Sequence, residues 1–160
     1  MAILEIKTAG DPVLKQHCSK VEKVDKRLRQ LLDDMAETMY ANEGVGIAAP
    51  QVGIPIRAVV VDVDNKRYDL INPVITCREG SVIDSEGCLS CPNLFGDVER
   101  AEKIRVKYIS RFNKEKELEA EGLLARCIQH EIDHLEGRLF IDIAQNITRG
   151  KVNRNKQTEN

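Results

Sequence analysis

Two histidines stand four residues apart in the segment His130-Glu131-Ile132-Asp133-His134. On an α-helix, positions i and i+4 lie on one face, so both imidazoles can reach a single metal ion. Glu131 lies about 100° further round the helix than His130, near enough to take a proton from a water held by that ion. These residue types at this spacing predict most of a metallohydrolase site.

The residues around the two histidines predict a half-buried helix. Gly122 marks its start and Gly137 its end, where a left-handed residue commonly closes a helix. Between the two glycines, an apolar stripe at helical spacing consists of Leu124, Ile128, Ile132 and Leu135. The histidines and Glu131 lie on a different face, which leaves them available to a cleft. Arg126, on the same helix, is expected either to be solvated or to edge that cleft.

The rest of the chain predicts an α+β fold, in which antiparallel strands pack around the C-terminal helix that carries the HExxH sequence. An N-terminal helix begins after Asp25 and ends near Ala41, and a loop rich in glycine and alanine follows at 44–53. Alternating or apolar segments predict strands at 56–63, 68–71, 82–89, 104–108 and 117–120. We expect one catalytic domain at 1–145 and a polar, frayed C-terminal tail at 146–160.

Composition limits the classes of protein that are compatible with this chain. A length of 160 residues suits one domain, and a net charge of −2 argues against a general affinity for nucleic acids or membrane surfaces. The N-terminus lacks the pattern of a signal or transit peptide, and no apolar run reaches the ~18 residues of a membrane span. Five cysteines, an odd number, make a disulfide framework unexpected. The chain is therefore predicted to be cytoplasmic.

A catalytic zinc-type site usually has three protein ligands, so the histidines need a third partner. The candidates are Glu86, Cys88, Cys91 or an acidic residue beyond His134. Cys88 is the best placed of these, because Gly87 permits close approach of the backbone and a thiolate binds iron, cobalt or zinc strongly.

Cys88 and Cys91 also form a C-x-x-C pair, which leaves two other interpretations open. One is a structural zinc site, made by Cys88, Cys91, His130 and His134 in a non-catalytic interaction module. The other is a thioredoxin-like redox pair, which the surrounding pattern does not favour because no helix begins there. A closed zinc site would give Glu131 no role.

Three segments together resemble the signature motifs of the peptide deformylase family, in order and with matching spacing. They are Gly44-Val45-Gly46-Ile47-Ala48-Ala49-Pro50-Gln51, Glu86-Gly87-Cys88-Leu89-Ser90 and Gln129-His130-Glu131-Ile132-Asp133-His134. The resemblance implies a hydrolase that removes the formyl group from the N-terminal formyl-methionine of nascent bacterial or organellar polypeptides and releases formate.

The resemblance also implies roles for individual residues. The metal ligands would be Cys88, His130 and His134, with Glu131 as general base and acid. Gln51 and the backbone N–H of Leu89 would stabilise the oxyanion. The residues that hold the N-formylmethionyl peptide in an extended conformation would be Val45, Gly46 and Gly87.

The natural metal of the family is Fe²⁺, so the resemblance implies Fe²⁺ bound by these three ligands. Zn²⁺, Ni²⁺ or Co²⁺ can also bind a thiolate and two imidazoles. The expected partners are nascent chains. Binding to a membrane or to a specific nucleic acid sequence is not expected. The tail is locally basic through Arg149, Lys151, Arg154 and Lys156. A transient contact with ribosomal RNA would use this charge, but a solvated, frayed end is the simpler interpretation and the one we favour.

Overall fold

The computed structural model of the protein describes residues 2–150, which form two α-helices, eight β-strands and three short 3-10 helices. The α-helices are α1 (Lys26–Ala41) and α2 (Gly122–Leu135). The strands are β1 (Gly46–Ala48), β2 (Ala58–Val63), β3 (Lys66–Glu79), β4 (Val82–Cys88), β5 (Cys91–Arg100), β6 (Lys103–Ile109), β7 (Glu115–Glu121) and β8 (Gln145–Arg149). The 3-10 helices are Pro12–Lys15, Ala49–Val52 and Phe140–Asp142.

All the paired strands are antiparallel and form two sheets. The larger sheet has the order β1-β2-β3-β6-β7, and the smaller one has the order β4-β5-β8. Within residues 2–150, neither α-helix combines the length and the apolar composition that a membrane crossing requires. The predicted α+β fold, with an N-terminal helix and a C-terminal helix carrying HExxH, is confirmed.

Strand β2 explains why the larger sheet has a helix on each face. Its residues Ala-Val-Val-Val-Asp-Val are almost all buried, as expected for a strand covered on both sides. Val59 and Val61 pack in a cluster with Ile128 and Leu135 of α2. Val60 lies on the opposite face, in a cluster with residues of α1. The sheet thus supports α2, and α2 carries the two histidines.

The capping residue predicted for α1 is confirmed. The Asp25 side chain accepts a hydrogen bond of 2.9 Å from the backbone N–H of Leu28, which would otherwise lack a partner at the start of the helix. Leu32, Met35 and Met39 are completely buried and fix the inner face of the helix. The helix ends at Ala41, where it was predicted to end.

Several predicted boundaries were wrong, and strand β5 was not predicted. The strand expected at 68–71 continues to Glu79, because Asn72 takes a left-handed backbone (φ 52°) and the register shifts between Ile71 and Val74. Pro73, which cannot donate a hydrogen bond, is accommodated at that irregularity. The loop expected at 44–53 contains strand β1 and a 3-10 helix, so its first half belongs to the larger sheet.

The frayed tail predicted from residue 146 is wrong for its first part. Residues 145–149 form β8, which pairs with β5 through Leu94 with Arg149 and Phe95 with Thr148. Backbone pairing holds this polar, exposed strand in place, and a composition-based prediction does not include such pairing. The remainder of the predicted tail, 151–160, lies outside the described residues.

Candidate metal centre and active site

Three potential ligand atoms converge between the C-terminal end of β4 and the middle of α2. One ligand atom each from Cys88, His130 and His134 lies within 4.8 Å of the other two. The Cys88 Sγ is 3.3 Å from His134 Nε2, and the two imidazole ring centroids are 5.1 Å apart. The helical spacing predicted from the sequence therefore brings both histidines to one point, and the smaller sheet supplies the thiol.

Glu86 determines which nitrogen of His130 can face a metal ion. The Nδ1 of His130 lies 2.9 Å from Glu86 Oε1, so the imidazole donates its Nδ1–H to this carboxylate. Donation by Nδ1 leaves the lone pair of Nε2 free, and a carboxylate in this position makes the imidazole a better ligand. Glu86, which was one of the candidates for the third ligand, instead orients a ligand.

Two arginines hold Glu86 in place, and one of them, Arg100, was not among the residues singled out from the sequence. Arg100 donates two hydrogen bonds to its carboxylate, both of 2.9 Å, and a third of 2.6 Å to Asp133. Arg126 donates to Glu86 at 2.6 Å. Burial alone would raise the pKa of Glu86, but the hydrogen bonds from Arg100 and His130 lower it to about 2. Glu86 is therefore ionised at neutral pH.

Arg126 also joins the smaller sheet to α2. Its guanidinium donates to the carbonyl oxygens of Val98 and Val82, at 2.9 and 2.8 Å. The Arg126 side chain is thus buried and paired with the smaller sheet. The two positions expected from the sequence, in solvent or at the edge of the ligand cleft, do not describe it.

Glu131 is buried beside the three ligands. Its Oε1 is fully buried and has no hydrogen-bond partner among the described residues. Burial raises the pKa of Glu131 to about 7, and the neighbouring Glu86 carboxylate acts in the same direction while His130 opposes it. A carboxyl group with such a pKa can both accept and return a proton near neutral pH.

Strand β1 lies directly against Glu131. A Cβ atom added to Gly46 would be 2.6 Å from the Glu131 Oε2, so a larger residue would displace this carboxylate from its position. Val45, the preceding residue, is exposed. Gly87 lies at the end of β4 next to Cys88, with the Phe95 ring 3.1 Å from where its Cβ would be. Among residues 2–150, β1 pairs with β2 alone and β4 with β5 alone, so each is an edge strand of its sheet, the position at which an extended peptide can add.

The orientation of the Gln51 amide follows from its hydrogen bonds. Its Oε1 accepts from the backbone N–H of Ala48 at 2.8 Å, and its Nε2 therefore points toward Ser90 Oγ (3.1 Å) and Cys88 Sγ (3.5 Å). The amide donor thus lies beside the ligand cluster. Leu89, whose N–H is the other predicted donor, follows Cys88 in the turn between β4 and β5.

The N-terminal segment connects the loops that carry Gln51 and Ser90. The N–H of Lys7 donates to the carbonyl of Gln51 at 2.7 Å, and the N–H of Ala9 donates to the carbonyl of Ser90 at 2.8 Å. These two bonds hold the first and second motifs relative to each other. The sequence carries no local signal for them, because a segment without helical or strand periodicity gives no indication of its partners.

The donor set fits a catalytic metal ion better than a closed structural site. Within residues 2–150, the group of clustered ligand atoms consists of one sulfur and two imidazole nitrogens, and Cys91 is not part of it. Cys91 is instead buried in an apolar cluster with Val98, Leu139 and Phe140. Three protein ligands leave a coordination position for water or substrate, and this donor set suits Fe²⁺, Co²⁺, Ni²⁺ or Zn²⁺.

Comparison with known proteins identifies the family. The family model for polypeptide deformylase matches residues 3–150. The chain belongs to the polypeptide deformylase family. It is 55% identical to a peptide deformylase of Caldicellulosiruptor bescii over 142 residues, which cover 89% of this chain and 86% of that protein. A peptide deformylase of Pelotomaculum thermopropionicum is 52% identical over 147 residues, or 92% of this chain and 95% of that protein.

Solved structures agree with this assignment. The crystal structure of peptide deformylase from Thermotoga maritima superposes with a TM-score of 0.89 at 43% identity, covering 91% of this chain and 99% of that one. A peptide deformylase from Synechococcus elongatus in complex with actinonin gives a TM-score of 0.88 at 44% identity, covering 91% of this chain and 81% of that one. The family resemblance found in the sequence motifs is therefore confirmed.

Membership of the family also establishes the activity. The protein is a metal-dependent hydrolase that removes the formyl group from nascent peptides during protein synthesis, as the sequence motifs predicted. The structural-zinc interaction module, the alternative prediction, is not favoured.

Proposed function

We propose that Cys88, His130 and His134 hold the metal ion of the deformylase, and that this ion is Fe²⁺ in the cell. The single observation that carries the proposal is the convergence of their ligand atoms within 4.8 Å, with the buried Glu131 alongside. A thiolate with two imidazoles also accepts Zn²⁺, Ni²⁺ or Co²⁺, so the metal in the cell depends on availability as well as on affinity.

When bound, the ion would lower the pKa of a water molecule and polarise the formyl carbonyl. In our proposal Glu131 is the general base that takes the proton from the attacking water. The buried position of Glu131 and its raised pKa support this role. Glu131 then returns the proton to the leaving amine, so that formate and a free amino terminus are released.

Gln51 and Leu89 stabilise the oxyanion that forms when the water attacks. The Gln51 Nε2 is an amide donor held at the ligand cluster by the fixed orientation of its own carbonyl oxygen. The backbone N–H of Leu89 is the second donor, placed next to Cys88 by the turn. Fixed donors of this kind stabilise a transition state without the cost of reorganising solvent.

The formyl-methionyl peptide binds in an extended conformation, with Val45, Gly46 and Gly87 along its backbone. Two open strand edges support this proposal, because β1 carries Gly46 and β4 carries Gly87. Backbone hydrogen bonds to a strand edge accept many peptide sequences, which suits an enzyme that acts on different nascent chains.

We place this activity in the one catalytic domain predicted at residues 1–145, to which β8 (Gln145–Arg149) adds an edge strand. Its location would be the bacterial cytoplasm, where nascent chains emerge. The protein would need neither a membrane nor a specific nucleic acid sequence. A transient contact of the basic tail with ribosomal RNA is testable by deleting residues 150–160, which leaves β8 in place. Unchanged co-sedimentation with ribosomes would show that the tail is only solvated.

The experiment that tests the metal site measures formate release from formyl-Met-Ala-Ser by protein purified anaerobically with Fe²⁺. Metal-stripped protein should be inactive, and adding Fe²⁺ should restore the activity. Reconstitution with Zn²⁺, Ni²⁺ and Co²⁺ in parallel ranks the metals by kcat/KM. No release from protein that holds one tightly bound ion per chain would contradict the proposal and favour a closed structural site.

Two cysteine variants provide the matched comparison. Cys88→Ser should lose most of its bound metal and its activity, because a hydroxyl is a poor substitute for a thiolate ligand. Cys91→Val should keep both, since Cys91 lies in an apolar cluster outside the ligand group. Full metal content in Cys88→Ser would exclude Cys88 as a ligand, and metal loss in Cys91→Val would implicate the second thiol.

A further inference from the structure

Cys88 and Cys91 occupy opposite positions at the end of a β-hairpin. They are paired across β4 and β5, with only Leu89 and Ser90 in the turn between them. Opposite residues of antiparallel strands have Cα atoms about 4.5 to 5.5 Å apart. A disulfide requires a Cα separation of roughly 4.4 to 6.8 Å, a range that includes the spacing of directly opposite residues.

The environments of the two sulfurs differ. Cys88 is partly exposed, and its Sγ faces His134 and Gln51 at the candidate metal centre. Cys91 is buried among apolar side chains, in a cluster against which Cys88 also packs. Both are free thiols in the structure. An oxidant in solution therefore reaches Cys88 before Cys91, and Cys91 is the thiol that lies opposite it across the hairpin.

We propose that Cys88 and Cys91 are a modification site, at which peroxide oxidation produces a reversible Cys88–Cys91 disulfide that removes Cys88 from the metal ligands. This inference rests on the proposed role of Cys88 as a ligand. The redox function of the C-x-x-C pair is thus a property of the deformylase site itself, and it does not need a thioredoxin-like fold.

The chemistry requires two steps and one molecule of hydrogen peroxide. As a metal ligand Cys88 would be a thiolate, and its sulfur attacks one peroxide oxygen. The O–O bond breaks, and the other oxygen leaves as hydroxide, which takes a proton from solvent to become water. The resulting sulfenic acid is attacked by the Cys91 sulfur, the S–O bond breaks, and a second water leaves with the Cys91 proton. The two sulfurs together lose two electrons, and the peroxide gains them.

The disulfide would protect Cys88 from irreversible damage. Without a nearby thiol, a sulfenic acid reacts with further peroxide to give sulfinic and sulfonic acids, which thiol reductants do not reverse. With Cys91 in place, oxidation would stop at the disulfide, and a dithiol would regenerate both thiols. Cys91 would thus convert a permanent loss of the metal site into a temporary one.

The test uses Ni²⁺-loaded holoenzyme, so that the metal ion does not reduce peroxide as Fe²⁺ would. The protein is treated with increasing hydrogen peroxide, and released metal, free thiols and peptide masses are measured in parallel. Trypsin produces a peptide of residues 79–100 that contains only Cys88 and Cys91 of the five cysteines. The wild type should release one ion per disulfide formed, and this peptide should become lighter by two hydrogen atoms.

Cys91→Val is the decisive variant, with Cys91→Ala as its replacement if the valine form does not fold. Either variant should give a peptide heavier by two or three oxygen atoms, and its metal binding should not return with dithiothreitol and fresh Ni²⁺. The wild type should recover its metal content and activity almost completely. Cys77→Ser, which changes an exposed thiol on β3, is the matched control and should behave like the wild type.

The outcomes separate the two proposals. If the wild type accumulates oxygenated Cys88 without the disulfide, or if Cys91→Val recovers as well as the wild type, the modification site is wrong. If the disulfide forms while the metal stays bound, Cys88 is not a ligand, and both the predicted consequence of oxidation and the assigned ligand set are overturned.

Discussion

The protein contains two networks of arginines and carboxylates that differ in burial and in what they contact. The first joins Glu86 to Arg100, Arg126 and His130, and Arg100 continues to Asp133. The side chains of Glu86, Arg100 and Arg126 are only 4%, 6% and 11% exposed. This network, which we call the Glu86 network, contacts a candidate metal ligand directly.

The second network, which we call the Asp33 network, lies where α1 meets β3. Asp33 on the helix pairs with Arg67 and Arg111, and both arginines also pair with Asp69. The side chains of Asp33, Arg67 and Arg111 are 31%, 28% and 25% exposed, whereas that of Asp69 is 5% exposed. Its members connect α1 to β3 and to the turn after β6, and have no described bond to the candidate ligands.

The difference shows how similar ion pairs can serve different purposes. A buried carboxylate has a high desolvation cost, which several donors must offset, and the resulting rigid group can orient a neighbouring imidazole. A partly exposed pair is screened by water and salt, so it contributes little beyond a modest local stabilisation. We therefore expect changes in the Glu86 network to alter the metal site and changes in the Asp33 network to leave it intact.

Glu86→Ala is the change with the largest expected effect in this comparison. It would leave the Nδ1–H of His130 without its acceptor and the buried guanidinium of Arg100 paired with Asp133 alone, at a cost of about 3 to 5 kcal/mol in the free energy of unfolding. Metal affinity should fall about 10- to 100-fold, because His130 would lose its orienting carboxylate. Urea unfolding and competition with a metal chelator measure the two effects separately.

Glu86→Gln, which retains the volume and one carbonyl acceptor, distinguishes orientation from folding. Its unfolding free energy should fall less than that of Glu86→Ala, while its metal affinity should still decrease. Unchanged metal affinity in both variants would mean that the Glu86 network serves the fold alone.

Arg126→Met should have an intermediate effect. Glu86 would keep its bonds to Arg100 and His130, but the carbonyl groups of Val98 and Val82 would lose a charged donor. Loss of such hydrogen bonds corresponds to about 1.5 to 3 kcal/mol of stability. Metal affinity should change less than in Glu86→Gln, and a larger loss would show that Arg126 takes part in positioning the ligands.

Asp33→Asn should have the smallest effect, about 1 kcal/mol or less at low salt, because the pairs are partly exposed. The hydrogen bond from Arg111 is the main cause that lowers the pKa of Asp33 in the folded protein. Its contribution to stability is therefore present above the ordinary aspartate pKa of about 4, and is lost as the pH falls through the lower folded-state pKa.

The check on Asp33 is the difference in unfolding free energy between wild type and Asp33→Asn, measured at pH 7 and below pH 4 and at two salt concentrations. The difference should shrink with acid and with salt, and kcat/KM at neutral pH should stay within a factor of two. A large fall in kcat/KM would contradict the division between the two networks.

The parts of the site that depend on short-range geometry could be predicted from the sequence. The spacing of His130 and His134, the apolar stripe of α2 and the cap at Asp25 each follow from helical periodicity, and the structure has the helices where they were expected. The Glu86 network could not be predicted from the sequence, because Glu86 and Arg126 are 40 residues apart and an arginine on a helix is usually solvated.

The strands were harder to predict for the same reason. The polar residues of β8 form a strand only because β5 lies beside them, and β3 continues past Pro73 only because the sheet accommodates an irregular register. The positions of Gln51 and Ser90 likewise depend on backbone bonds from Lys7 and Ala9, which no local pattern indicates. Long-range pairing, rather than local preference, decides each of these features.

The most direct test of the whole account is the comparison of Glu131→Gln with the wild type, with bound metal and formate release measured on the same preparations. We expect the variant to keep one ion per chain and to lose about 10²- to 10⁴-fold in kcat, because a glutamine cannot carry the proton from water to the leaving amine. Near-native turnover by fully loaded Glu131→Gln would contradict the proposed role of Glu131. Loss of the metal would instead show that the Glu131 carboxylate is needed to hold the ion.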